Sequence, residues 1–172
     1  VRGQRQPKLV QGATMFAVND QGKITVGATE SYVNLVIQND GTTPNSKVNI
    51  TADVLTVEGI RLENVSVSAD IAVSGAGGRD GFAEAANTWY YVWVMADSTG
   101  TSTNGLLSTS STAPTLPAGF TKKRRVGAVR NDGSSNFLQF VQEGNKVIYT
   151  SPLVANRILA GGQATAWTSV SA

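Results

Sequence analysis

Val48-Asn49-Ile50-Thr51-Ala52-Asp53-Val54, then Glu58-Gly59, then Asn64-Val65-Ser66-Val67-Ser68-Ala69-Asp70-Ile71-Ala72-Val73, is the stretch on which the fold turns. Val48, Ile50, Ala52 and Val54 alternate with Asn49, Thr51 and Asp53. After the turn signal, Val65, Val67, Ala69, Ile71 and Val73 alternate with Asn64, Ser66, Ser68 and Asp70. Period 2 marks a strand with one dry and one wet face. Two such strands in succession predict an antiparallel meander.

Working towards the N-terminus, Tyr32 to Ile37 reads as a strand that ends at the turn cluster Asn39-Asp40-Gly41. Met15 to Val26 predicts a weak hairpin turning at Asn19-Asp20-Gln21-Gly22. Residues 1–13 read as an extended lead-in.

Working towards the C-terminus, Gly75 to Gly81 predicts a loop, because glycines hold a regular element at an entropic cost. Phe82 to Ala86 predicts one helical turn. Trp89-Tyr90-Tyr91-Val92-Trp93-Val94-Met95 is the most apolar run. It is short, aromatic and β-branched, which fits a central strand covered on both faces. The second face then requires cover from another sheet or another subunit.

Asp97 to Asn104 reads as a polar turn, and Gly105 to Ser108 as the partner strand of a hairpin. Thr109 to Gly119 is a loop stiffened by Pro114 and Pro117. Arg125 to Arg130 is a strand closed by Asn131-Asp132-Gly133, and Phe137 to Gln142 and Lys146 to Tyr149 form a hairpin about Glu143-Gly144-Asn145. One more strand is expected near Thr165 to Val170, and the chain then ends without a stop signal, as a piece cut from a longer protein would.

About eight to ten short strands with close turn signals predict an all-β fold, an antiparallel β-sandwich or small barrel with extended terminal arms. Residues 31–150 form the sandwich-like domain on this reading. Residues 1–30 are an N-terminal arm or weak hairpin, and 151–172 a C-terminal arm open to continuing into a further domain.

Composition narrows the function. At 172 residues the chain is long enough to bury roughly two-thirds of its unfolded surface without staples. It is 41% hydrophobic and only 15% charged, the remainder being rich in Ser, Thr, Asn and Gly. There is no cysteine and no histidine, so disulfides, thiol chemistry, Cys/His zinc sites and His-based triads are excluded. Net charge is +2, without the concentrated stripe of a nucleic-acid binder. No stretch approaches the ~18 apolar residues of a membrane-spanning helix, and Val1-Arg2-Gly3-Gln4-Arg5 lacks the apolar core of a signal peptide. No cofactor, metal site, nucleic acid or membrane insertion is expected.

Several local signals have plain readings. Lys122-Lys123-Arg124-Arg125 could touch phosphate or anionic sugar, but reads better as a solvated edge strand, where lysines discourage aggregation. No aromatic residue interleaves within the run, as single-strand binding would require. Gly75 to Gly81 lacks the Lys and hydroxyl of a phosphate loop. Asp80 and Glu84 could share a helical face, but the spaced ligands of a Ca²⁺ loop are missing. Asn49-Ile50-Thr51 and Asn64-Val65-Ser66 match glycosylation sequons by chance, since both lie in strand patterns. Of Trp89, Tyr90, Tyr91 and Trp93, two are expected in the core, because alternation sends neighbours to opposite faces. Trp89, Tyr91 and Trp93 are the candidate glycan or partner contacts.

Three segments carry a resemblance. They are Thr88 to Val94, then Leu106-Leu107-Ser108-Thr109-Ser110-Ser111-Thr112-Ala113-Pro114-Thr115-Leu116-Pro117-Ala118-Gly119-Phe120, then Lys123-Arg124-Arg125-Val126-Gly127-Ala128-Val129-Arg130-Asn131-Asp132-Gly133 with Ser134 to Phe137. The aromatic strand, the Ser-Thr-Ala-Pro-Thr-Leu-Pro loop, the Arg-Arg-Val-Gly strand and the Asn-Asp-Gly turn come in one order. The combination resembles a module of tailed-bacteriophage virion proteins, often tail-fibre or tail-associated. The match runs from Thr88 to Val141 and is weaker from Tyr32 to Ile71.

The resemblance implies a β-rich virion structural protein of the particle surface or tail, active in assembly and host attachment. It implies copies of itself as a homotrimer, other virion proteins and host surface glycan as partners, and no catalytic residue. The alternatives are a capsid decoration or head-fibre protein, a carbohydrate-binding adhesin module, and a polysaccharide depolymerase using carboxylates alone. The last is disfavoured by the lack of a tight acidic pair.

Overall fold

The structure is a computed structural model that describes residues 31–149 and the backbone of Phe16–Val18 and Ile24–Val26. The expected lead-in at 1–13 and the strand at 165–170 lie outside the described residues. Two short strands, β1 (Phe16–Val18) and β2 (Ile24–Val26), pair antiparallel, as the N-terminal hairpin pattern predicts.

The remaining strands build two sheets and no closed barrel. The larger contains β3 (Tyr32–Val33), β4 (Val36–Asn39), β5 (Lys47–Val57), β6 (Ile60–Asp70), β11 (Phe140–Glu143) and β12 (Lys146–Tyr149). β3 and β4 follow one another along the same side of β5, and β6 takes the other side. The smaller sheet runs β10 (Lys122–Arg130), β8 (Trp89–Ala96), β9 (Thr103–Ser108), β7 (Gly78–Arg79). Among the described strand pairs only β7 on β9 is parallel, and a single parallel bridge joins Ser74 to Arg79.

The β5–β6 hairpin is the meander read from the sequence. Glu58 and Gly59 form its two-residue turn with φ of 41° and 86°, the left-handed pair that lets strand twist continue through the turn. The dry face shifts part-way along. Val48, Ile50 and Ala52 are buried, but beyond Asp53 burial passes to Leu55 and Val57, leaving Val54 half-buried. β6 shifts at the same level, from Leu62 to Val65. Val73 lies beyond the end of β6 and is exposed, against the simple alternation.

Side chains from both sheets interdigitate in one core. Ile37, Ile50, Leu55 and Val57 come from the larger sheet, and Tyr90, Val92, Val94 and Leu107 from the smaller. The sheets approach closely at Gly105, where a Cβ would lie 2.5 Å from the Ser68 carbonyl oxygen. Burial of this kind stabilises by about 25 cal/mol per Å² of apolar surface.

Two local expectations are corrected. Gly75 to Gly81 is not loop throughout, because Gly78–Arg79 adds a short parallel strand beside β9. Phe82 to Ala86 forms no helical turn. The Tyr90 hydroxyl instead accepts a hydrogen bond from the Ala85 amide (2.7 Å) and donates to the Ala85 carbonyl (3.0 Å). The Phe82 ring stacks on Tyr90 at 4.8 Å. These tertiary contacts outweigh a single turn of helix, which is costly to nucleate.

Candidate functional site

β8 is an interior strand, flanked by β10 and β9, as its apolar run predicts. Alternation sends Tyr90, Val92 and Val94 into the core between the sheets. Trp89, Tyr91, Trp93 and Met95 point the other way. The chain itself covers part of that outer face. Leu116 and Phe120, from the proline-stiffened loop after β9, pack with Tyr91 on Trp93, Met95 and Leu106. No second sheet lies there among the described residues.

The three candidate contacts therefore differ. Trp93 is 5% exposed and belongs to this second cluster, so it is a packing residue and offers no face to a ligand. Tyr91 is half-buried. Trp89, at the uncovered end, is 45% exposed. Two of the four aromatic residues, Tyr90 and Trp93, are buried, but on opposite faces of the strand.

β10 supplies the charge. It is an edge strand of its sheet, as the plain reading of Lys122 to Arg125 expects, but of the four only Arg125 is exposed rather than the whole run being solvated. Its register places Lys123 opposite Met95, Arg125 opposite Trp93, Ala128 opposite Tyr91 and Arg130 opposite Trp89, with the pairing shifted between Arg125 and Gly127. Arg125 is exposed, lies 5.6 Å from the Tyr91 ring centroid and donates to the Ser111 carbonyl at 2.9 Å. That guanidinium is held in place by a ring and a carbonyl while most of its five donors remain. Nε of Arg130 is buried with no partner among the described residues. Burial pushes the Tyr149 hydroxyl above its usual pKa, and the nearby Arg130 charge partly offsets this.

Arg124, next in sequence, faces inward and does a different job. It donates to the Ser31 and Thr56 carbonyls, each at 2.7 Å, and lies 5.6 Å from the Tyr32 ring centroid. Gln142, 6% exposed, ties the same edge by donating to the Val126 carbonyl at 2.9 Å. Neither residue was legible as structural from its neighbours in sequence.

The carboxylates serve loops. Asp80 accepts from the Thr115 amide and Glu84 from the Asn131 side chain, and no helical turn sets the two on one face. Asp40 accepts the Thr43 and Thr42 amides and the Asn49 side chain, which hold its carboxyl far below the usual range. At Asp97 desolvation raises the pKa, but hydrogen bonds from Thr99, Ser102 and Gly100 outweigh it and the net shift is downward. No cluster of three or more His, Cys, Asp or Glu side chains with metal-binding geometry occurs among the described residues. Asn49 of the first sequon is occupied by Asp40, and Asn64 of the second lies within β6.

No family model matches the chain, and comparison with curated proteins and with solved structures gives no match.

Proposed function

We propose that the chain is a structural component of a tailed-bacteriophage particle, a tail fibre or tail-associated module that works by assembly and host attachment rather than catalysis. The observation that supports this is the unity of the resembling segments in space. The aromatic strand β8 and the Arg-Arg-Val-Gly strand β10 are hydrogen-bonded neighbours. The Ser-Thr-Ala-Pro-Thr-Leu-Pro loop packs Leu116 against the outer face of β8. The Asn-Asp-Gly turn joins back through the Asn131 and Asn87 amides, which donate to the Thr88 and Asp132 carbonyls at 2.9 Å. Four separate stretches of sequence thus make one unit, as expected of a module inherited whole.

Assembly is the second part of the reading. Val147 and Ile148 are 45% and 46% exposed on β12, an edge strand whose outer side has no partner among the described residues. Edges of this kind invite pairing with another chain, and virion parts assemble by symmetry, here as a homotrimer on the resemblance.

Antibody against the chain should label intact particles at the tail, and the purified chain should sediment as an oligomer. Absence from purified particles, or a monomer at high concentration, contradicts the proposal. Label on the head assigns a decoration or head-fibre protein instead.

A further inference from the structure

The end of the outer face of β8–β10 that no other described residue covers combines an exposed aromatic ring with positive charge. Outward positions on β8 are Trp89, Tyr91, Trp93 and Met95, those on β9 are Asn104, Leu106 and Ser108, and those on β10 are Lys123, Arg125, Ala128 and Arg130. No carboxylate stands among them, although the chain as a whole carries 14 basic and 12 acidic residues. The strand positions of this face thus carry positive charge with no acidic residue in register among them. The geometry points to this face as a binding site for a carboxylate-bearing glycan, with Trp89 as the stacking platform and Arg125 as the principal anion contact.

Each role follows from the surroundings of the residue. Trp89 is the one outward β8 aromatic left largely open, since the loop residues Leu116 and Phe120 pack over the stretch around Trp93. An exposed indole presents a flat apolar face, suited to the C–H face of a sugar ring. Tyr91 carries the Arg125 guanidinium against its own ring, so its function is to orient that guanidinium. A planar fork with spare donors matches a carboxylate in two-point geometry. Lys123, on the same face, extends the positive field along the edge, while Arg130, opposite Trp89 in register, keeps its Nε buried.

A single-stranded nucleic acid shares the need for rings and cations, but the numbers favour sugar. Nucleic-acid binders typically neutralise on the order of six to ten phosphates. This face offers two cations, Lys123 and Arg125, and one open ring, too few for a run of phosphates. The inference deepens the attachment reading of the same face and rests on it.

The test titrates the full chain with oligosaccharides carrying uronic or sialic acid, each beside its carboxyl-reduced counterpart, and with a short oligothymidylate. At least one acidic sugar is expected to bind about tenfold or more tightly than its reduced form, in line with a charged hydrogen bond. Trp89→Ala is expected to abolish binding of both forms. Arg125→Gln is expected to remove the preference for acid while weak binding of the reduced form stays. Circular dichroism of each variant checks folding, which these exposed positions should not disturb. Binding to no member of the panel, equal binding of acid and reduced forms, or tighter binding of oligothymidylate overturns the inference. So does a Trp89→Ala chain that loses self-association, which assigns the face to a second copy. Failure of the virion reading shows separately, as absence of the chain from particles.

Discussion

Asn34 and Asn64 hold the same left-handed backbone, φ 52° and 51°, on either side of Asp53. The flanking pairs Val33–Val54 and Val36–Thr51 set Asn34 level with Asp53, and Ala52–Val65 and Val54–Glu63 do the same for Asn64. Asn34 Nδ2 donates to the Asp53 carboxylate at 2.6 Å. Along this line the β3–β4 segment, β5 and β6 exchange their buried and exposed faces together. Shifting one strand alone would turn its apolar side chains to water, so a common line preserves the core.

Asn64→Val should therefore destabilise the fold by about 1–2 kcal/mol, because a β-branched residue resists positive φ. Asn64→Gly should leave stability nearly unchanged. Urea unfolding of the two variants checks the contrast.

Trp89 and Trp93 should separate cleanly. Trp93→Ala empties a packed site and should cost about 3–5 kcal/mol. Trp89→Ala, on an exposed residue, should stay within about 0.5 kcal/mol of the parent. Equal losses in thermal unfolding would contradict the placement of Trp93 under the loop.

Arg124→Ala removes the donor to two carbonyls on the opposite sheet and should cost about 1–3 kcal/mol. Arg124→Lys should recover less than half, since a single ammonium cannot reproduce the planar fork. Chemical denaturation measures both.

Gly105→Ala would drive a methyl group into backbone, 2.5 Å from the Ser68 oxygen and 2.8 Å from its carbon. Neither strand can yield without parting the sheets, so a loss of about 1–3 kcal/mol is expected. A stability equal to the parent would contradict the close approach.

Acid should weaken the protein through Asp40 and Asp97. Both carboxyls titrate below the ordinary value of 3.8 in the folded chain. Their stabilising contribution is complete above that value and is lost as pH falls below it, through the depressed folded values. Asp97→Asn should flatten the acid limb and lower the melting midpoint near neutrality. A melting midpoint independent of pH between 5 and 2.5 would contradict both hydrogen-bonded carboxylates.

Alternation over Val48 to Ala52 and Val65 to Ile71, the Glu58-Gly59 turn and the aromatic run of β8 determined an all-β chain with an interior aromatic strand, because side-chain period and turn chemistry are local properties of the backbone. The site was only partly legible: Trp89 was named, but Trp93 was named beside it although it is buried, and Arg125 was read as part of a bland charge run. Five positions separate Arg125 from Arg130, which in a regular strand would place them on opposite faces. The irregularity at Val126 brings them to one face, opposite Trp93 and Trp89. Such a shift depends on what neighbouring strands and the Gln142 side chain offer, so tertiary structure alone decided which rings and charges share a surface.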